Sequence, residues 1–109
     1  MGLKAIANPN VAQASSGVSL NRTDSSGTPG NATINTPKGR CAIAAAAASV
    51  VITSSIVTAT STVLAVINQA ATDATLTQIL RVQTAGGSFT ITGNAAATAA
   101  VTVDFVVFP

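Results

Sequence analysis

The side chains in this sequence that could do chemistry are few and far apart. Ten Ser and sixteen Thr supply hydroxyls, but there is no His to activate them, and the two Lys, Lys4 and Lys38, both fall in the first 40 residues. A hydroxyl without an adjacent base is a weak nucleophile at neutral pH. Glu is absent too, so any carboxylate work would fall to Asp24, Asp73 and Asp104, which no calcium-loop spacing surrounds. These three are expected as solvated or turn carboxylates. Cys41 is the single cysteine, which rules out an intrachain disulfide; with no His beside it, a zinc site lacks ligands. It is expected as a buried, inert thiol on the same strand face as Ile43. No catalysis, metal, cofactor or small-molecule substrate is expected from this inventory.

Phosphate and nucleic-acid chemistry are equally thin. Gly86-Gly87 is followed by Ser88-Phe89, and no Gly-rich loop ends in Lys-Ser or Lys-Thr. Five cations, three Phe and no Trp or Tyr leave little for bases to stack on, so no nucleic-acid partner is expected.

The elements that would position these groups are short strands. From residue 40 onward apolar residues recur with period two, the mark of a strand with one buried face. Val101, Val103, Phe105 and Val107 alternate with Thr102, Asp104, Val106 and Phe108, giving one wholly apolar face and one mixed face. Phe89 and Ile91 follow the turn Ala85-Gly86-Gly87-Ser88, and Leu76, Leu80 and Val82 precede it, which predicts a hairpin over 76–92. Val50, Ile52, Ser54 and Ile56 make another face, Val63, Ala65 and Ile67 the next, with shorter candidates over 40–44 and 33–35. Ala44 to Ala48 is too short to nucleate a helix and is read as a turn or strand end. Six or seven such strands predict an all-β fold: a small antiparallel sandwich or barrel, jelly-roll-like, over 33–109.

Residues 1–32 read instead as an extended, irregular arm with turns at Asn8-Pro9, Asp24-Ser25-Ser26-Gly27 and Pro29-Gly30. Lys4, Arg22, Lys38 and Arg40 against Asp24 give residues 1–40 a net charge of +3, while 41–109 carry −1. A mildly basic arm with single hydrophobes at wide spacing suits a segment laid along a partner. Its candidate contacts are Leu3, Lys4, Ile6, Val11, Val18, Leu20 and Arg22, with Lys38 and Arg40 beyond it. Val106 and Phe108, on the mixed face of the last strand, are candidate contacts between copies of the chain.

Two targeting alternatives come from hydropathy. Mean hydropathy is +0.54, and the stretch from Cys41 to Ile67 carries no charge, so a small membrane-inserted protein is one reading. Eight Ser or Thr in that stretch, and the lack of an aromatic belt, speak against it. Ala12-Gln13-Ala14 has the look of a signal-peptidase site, but Asn8-Pro9-Asn10 interrupts the apolar stretch before it, and no secretory signal is expected.

Ala, Ser and Thr occupy 48 of the 109 positions. Their small side chains contribute little burial at about 25 cal/mol per Å² of apolar surface. A lone copy is therefore expected to be marginal, with contacts between chains contributing to stability.

Gly39-Arg40-Cys41-Ala42-Ile43-Ala44, then Ser49-Val50-Val51-Ile52-Thr53, then Gly87-Ser88-Phe89-Thr90-Ile91 with Asn94-Ala95-Ala96, and the closing Val101-x-Val103-x-Phe105-Val106-Val107 form an ordered series. In order and spacing it resembles the small capsid decoration (cement) proteins of tailed bacteriophages, over about residues 33–109. The resemblance implies a structural protein on the outer surface of an icosahedral virion, bridging major capsid protein subunits as homotrimers or, in some cases, dimers. It implies no cofactor and no catalysis. A head-fibre or receptor-binding domain on a virion is the alternative, although the sugar recognition such domains use leans on aromatic faces that this chain lacks.

Overall fold

The computed structural model describes residues 22–109, and the chain there is entirely strand, turn and loop. The strands, in chain order, are β1 (Thr23–Asp24), β2 (Ala32–Thr33), β3 (Lys38–Ile43), β4 (Ser49–Thr53), β5 (Thr62–Ile67), β6 (Ile79–Ala85), β7 (Ser88–Gly93) and β8 (Val101–Phe108). They form two four-stranded sheets, ordered β1-β3-β8-β5 and β2-β4-β7-β6. The six longer strands pair antiparallel. The two-residue strands β1 and β2 run parallel to β3 and β4, so both sheets are mixed. Apart from the β6–β7 hairpin, successive strands change sheet. β8 inserts between β3 and β5, and β7 between β4 and β6, a jelly-roll-like winding.

The alternating pattern explains the layers. Val101, Val103, Phe105 and Val107 are buried and face Val50, Ile52, Phe89 and Ile91 of the opposite sheet in one core that also holds Ile34, Cys41, Ile43, Val57 and Leu76. The rings of Phe89 and Phe105 meet edge to face, centroids 4.9 Å apart at 70°, a favoured aromatic geometry. Phe105 lies opposite Gly39 on β3. A Cβ on Gly39 would sit 2.3 Å from the ring, so the glycine is what makes room for it. Cys41 is fully buried beside Ile43, and burial pushes its thiol up to about 12, followed by the charge of Asp104.

The hairpin turns on Gly86-Gly87, with Gly87 at φ 85°, a conformation glycine adopts without steric cost. Ala44–Ala48 is a turn between β3 and β4, and Ala46 takes φ 70° there.

Three details depart from the alternation. A register shift between Ile79 and Arg81 turns Leu80 outward, 58% exposed, while Leu76, ahead of the strand, is fully buried in the core and Ile79 and Val82 pack against it half-buried. The face begun by Val50 and Ile52 continues through Ser54 and then Val57, since β4 ends at Thr53 and the turn after it leaves Ile56 half-buried. Residues 23–32, read as arm, lead from the edge of one sheet to the edge of the other, where Ala32 and Thr33 pair with β4. The Ser25 amide donates to the Arg40 carbonyl and the Gly30 amide to that of Ala42. The charge-free stretch from Cys41 to Ile67 consists of strands and turns rather than a membrane helix.

Candidate interaction surface

The chemistry-bearing groups sort themselves by strand alternation onto the outer face of the β1-β3-β8-β5 sheet. Because Phe105 and Val107 point inward, Asp104, Val106 and Phe108 point out. Register places Lys38 and Leu64 on either side of Val106, and Arg40 and Val66 on either side of Asp104. Phe108 lies opposite Thr62 at the end of the sheet. Leu64, Val66 and Phe108 are 58%, 57% and 52% exposed. Together with half-buried Val106 they form an apolar strip on a sheet face that no other element covers among the described residues.

Arg40 and Asp104 cross the middle of this face. Arg40 Nε donates to Asp104 Oδ1 at 2.6 Å and Nη2 to Oδ2 at 3.0 Å, while Asn68 Nδ2 donates to Oδ2 at 2.5 Å. These bonds hold the Asp104 carboxyl below its ordinary range, with Arg40 the principal cause, and raise the Arg40 guanidinium in return. Arg22 stands 4.0 Å from Asp104 and 3.9 Å from Asp24, its side chain 43% exposed. With Lys38 it forms a basic rim to a groove of about 470 Å³ whose walls are Leu64, Val66, Val106 and the backbone at Gly39.

The sequence-derived contacts thus fall into two sets. Arg22, Lys38 and Arg40, expected to touch a partner protein, share one sheet face with Val106 and Phe108, expected to touch another copy. Arg40 is hydrogen-bonded to Asp104 through two nitrogens, whereas Arg22 only approaches Asp104 and Asp24 at 4.0 and 3.9 Å. Leu3, Lys4, Ile6, Val11, Val18 and Leu20 lie outside the described residues. Sequence reasoning passed over Leu64 and Val66. Their signal was the apolar run Val63-Leu64-Ala65-Val66-Ile67, in which both faces of one strand are hydrophobic and only one can enter the core.

The other carboxylate with strong partners is away from this surface. Asp73 accepts from the amides of Thr75 and Leu76 on its own loop and from the amides of Thr98 and Ala99 and the Thr98 hydroxyl on the loop before β8. These donors, the Leu76 amide foremost, hold its carboxyl far below the usual range. The sequence presented Asp73 as a solvated or turn carboxylate. It does make the turn, but it is buried and ties two loops together.

Aliphatic side chains, two cations and a matched ion pair suit the outer face to holding another surface. No family model, curated protein or solved structure matches this chain.

Proposed function

We propose that this chain is a structural capsid decoration protein. It binds the outer surface of a bacteriophage head across seams between major capsid protein subunits, self-associates, and acts without catalysis, cofactor or nucleic acid. The observation that carries this reading is the exposed strip of Leu64, Val66, Val106 and Phe108 rimmed by Arg22 and Lys38. Apolar area supplies adhesion, and a basic border steers the chain toward an acidic shell. It agrees with the resemblance of residues 33–109 to cement proteins and with a core built largely from small and β-branched side chains.

The mechanism is mass action. A protein that binds the assembled shell and not its separated subunits stabilises the shell by RT ln(1 + [L]/Kd), about 2.7 kcal/mol per site at a hundredfold excess over Kd. Linked copies make modest contacts multivalent. Exposed charge pairs contribute only about 0–1 kcal/mol each, so Lys4, Arg22 and Lys38 act mainly on association rate and salt sensitivity.

Thermal opening of particles stripped of the protein, then re-coated with it, tests this directly. Stripped particles open at a lower temperature and re-coating restores the higher one. Equal opening temperatures would remove the proposed function. Deleting residues 1–21, which stops short of β1, leaves a sandwich that folds and is held on the particle less firmly, by the sheet face alone. Retention as full as the parent's would leave residues 1–21 without a part in the shell contact.

A further inference from the structure

Each sheet has two edges, and three of the four are guarded. β1 and β2 are two residues long. β6 carries Arg81 and the irregularity at Leu80. Short length, charge and bulges are the usual means of keeping a sheet edge from pairing with another chain. β5, Thr-Val-Leu-Ala-Val-Ile, has six residues, no charge, no Pro and no register shift.

The hydrogen-bond parity of β5 follows from its neighbours. The Asn68 amide donates to the Thr102 carbonyl, continuing the β5–β8 ladder, and the Val107 amide donates to Pro37 on the β3 side. In an antiparallel ladder alternate residues bond toward alternate sides. Thr62, Leu64 and Val66 therefore bond to β8, and the amides and carbonyls of Val63, Ala65 and Ile67 point to the open edge. Among the described residues none of those six groups has a partner outside the ladder.

We propose that β5 pairs antiparallel with β5 of a second copy about a two-fold axis through Ala65, joining the two outer sheets into one of eight strands. Two constraints select this register. A shift of one residue would turn the buried face of one copy to the other's solvent side, so outward residues must oppose outward ones. Among such registers, the axis at Ala65 sets Ala65 against the partner's Ala65 and Val63 against the partner's Ile67. All three edge-facing residues of each copy are then used, forming six hydrogen bonds. An axis at Leu64 or Val66 satisfies only two of the three residues on each copy.

The same register sets Leu64 beside the partner's Val66 in the pair geometry where side chains approach most closely. The apolar strip then runs unbroken across both copies, from one Phe108 to the other. A second copy fits better than a charged partner because the seam itself is neutral. Arg22 and Lys38 sit on the far side of β8 from it, so these two cations do not oppose their counterparts across the seam. This deepens the self-association part of the proposed function and rests on the open edge rather than on shell binding.

Sedimentation of the full chain over a concentration series is the test, with three variants. The parent is expected to be a dimer. Ala65→Pro is expected to be a monomer with an unchanged circular dichroism spectrum, because its amide faces the edge and no bond to β8 is lost. Leu64→Lys with Val66→Lys opposes like charges twice and weakens dimerisation by about tenfold or more, whereas Leu64→Glu with Val66→Lys opposes unlike charges and recovers most of that loss. Both positions are exposed, so this pair decides the register even where Ala65→Pro does not fold. A monomeric or trimeric parent, or a dimer in which the two double variants behave alike, overturns the pairing. Particle binding is read separately. A monomer that still coats the shell refutes only the pairing, and a dimer that ignores the shell refutes only the capsid function.

Discussion

Gly39→Ala adds one methyl group where β3 meets the ring of Phe105. The new Cβ would lie 2.3, 2.8 and 2.9 Å from Cζ, Cε2 and Cε1 of that ring. A ring tip can yield when it has somewhere to go. This one is buried and backed edge-on by Phe89 at 4.9 Å, so relief requires moving two aromatic rings. Overpacking of that kind costs about 1–3 kcal/mol, and replacing Gly offsets about 0.4–1 kcal/mol by reducing the freedom of the unfolded chain. The net expectation is a loss of about 1–2 kcal/mol. Phe105→Ala, by comparison, should cost about 3–5 kcal/mol through the cavity it leaves. Urea unfolding followed by far-ultraviolet circular dichroism measures both, since the chain has no Trp or Tyr to report by fluorescence. The decisive variant combines Gly39→Ala with Phe105→Leu. A smaller, non-planar side chain leaves space for the methyl, so the double variant should be more stable than the sum of the single losses by about 1 kcal/mol. Strict additivity, or a Gly39→Ala protein as stable as the parent, would refute the account of why glycine stands in this strand.

Ala46→Gly should stabilise the sandwich by about 0.5 kcal/mol, because the left-handed conformation costs an L-residue about 1–2 kcal/mol and glycine's extra unfolded freedom offsets about 0.5–1 of that; a lower urea midpoint would contradict it. Ser54→Ala should be neutral or stabilising by up to about 1 kcal/mol, since the buried Ser54 hydroxyl has no hydrogen-bond partner among the described residues, and a clear loss would reveal an acceptor. Asp73→Asn should destabilise the protein at neutral pH and flatten its acid response. The Asp73 carboxyl titrates below its ordinary value in the folded chain, so its contribution is complete above about pH 4–5 and disappears as the pH falls through the depressed value. Asp24 and Asp104 are lowered as well, so some acid sensitivity should remain. An unaltered pH–stability curve in Asp73→Asn would assign the effect to those two alone.

What the sequence by itself determined is the set of local periodicities. The alternation over 101–108 sets which side chains of β8 are inside, because a strand offers only two faces and one of them must leave water. Gly86-Gly87 marks the hairpin, because a two-residue loop needs positive φ. The isolation of Cys41 and the lack of His settle much of the available chemistry before any folding. What only the tertiary structure decided is which strands become neighbours. Lys38 beside Val106, Arg40 locked to Asp104, and Leu64 and Val66 beside the same strand are pairings between residues 38 to 68 positions apart in the chain. Asp73 shows the same limit from within a loop: its Asx turn is local, but its bonds to Thr98 and Ala99 exist because β8 is preceded by a loop that folds back over it. The edges belong to this second class too. β5 carries apolar residues on both faces, and only the order β1-β3-β8-β5 leaves one of its sides without a hydrogen-bonded strand among the described residues. Side-chain alternation is a property of the backbone at each residue, whereas strand order depends on long-range closure of the whole sandwich, which no short window of sequence contains.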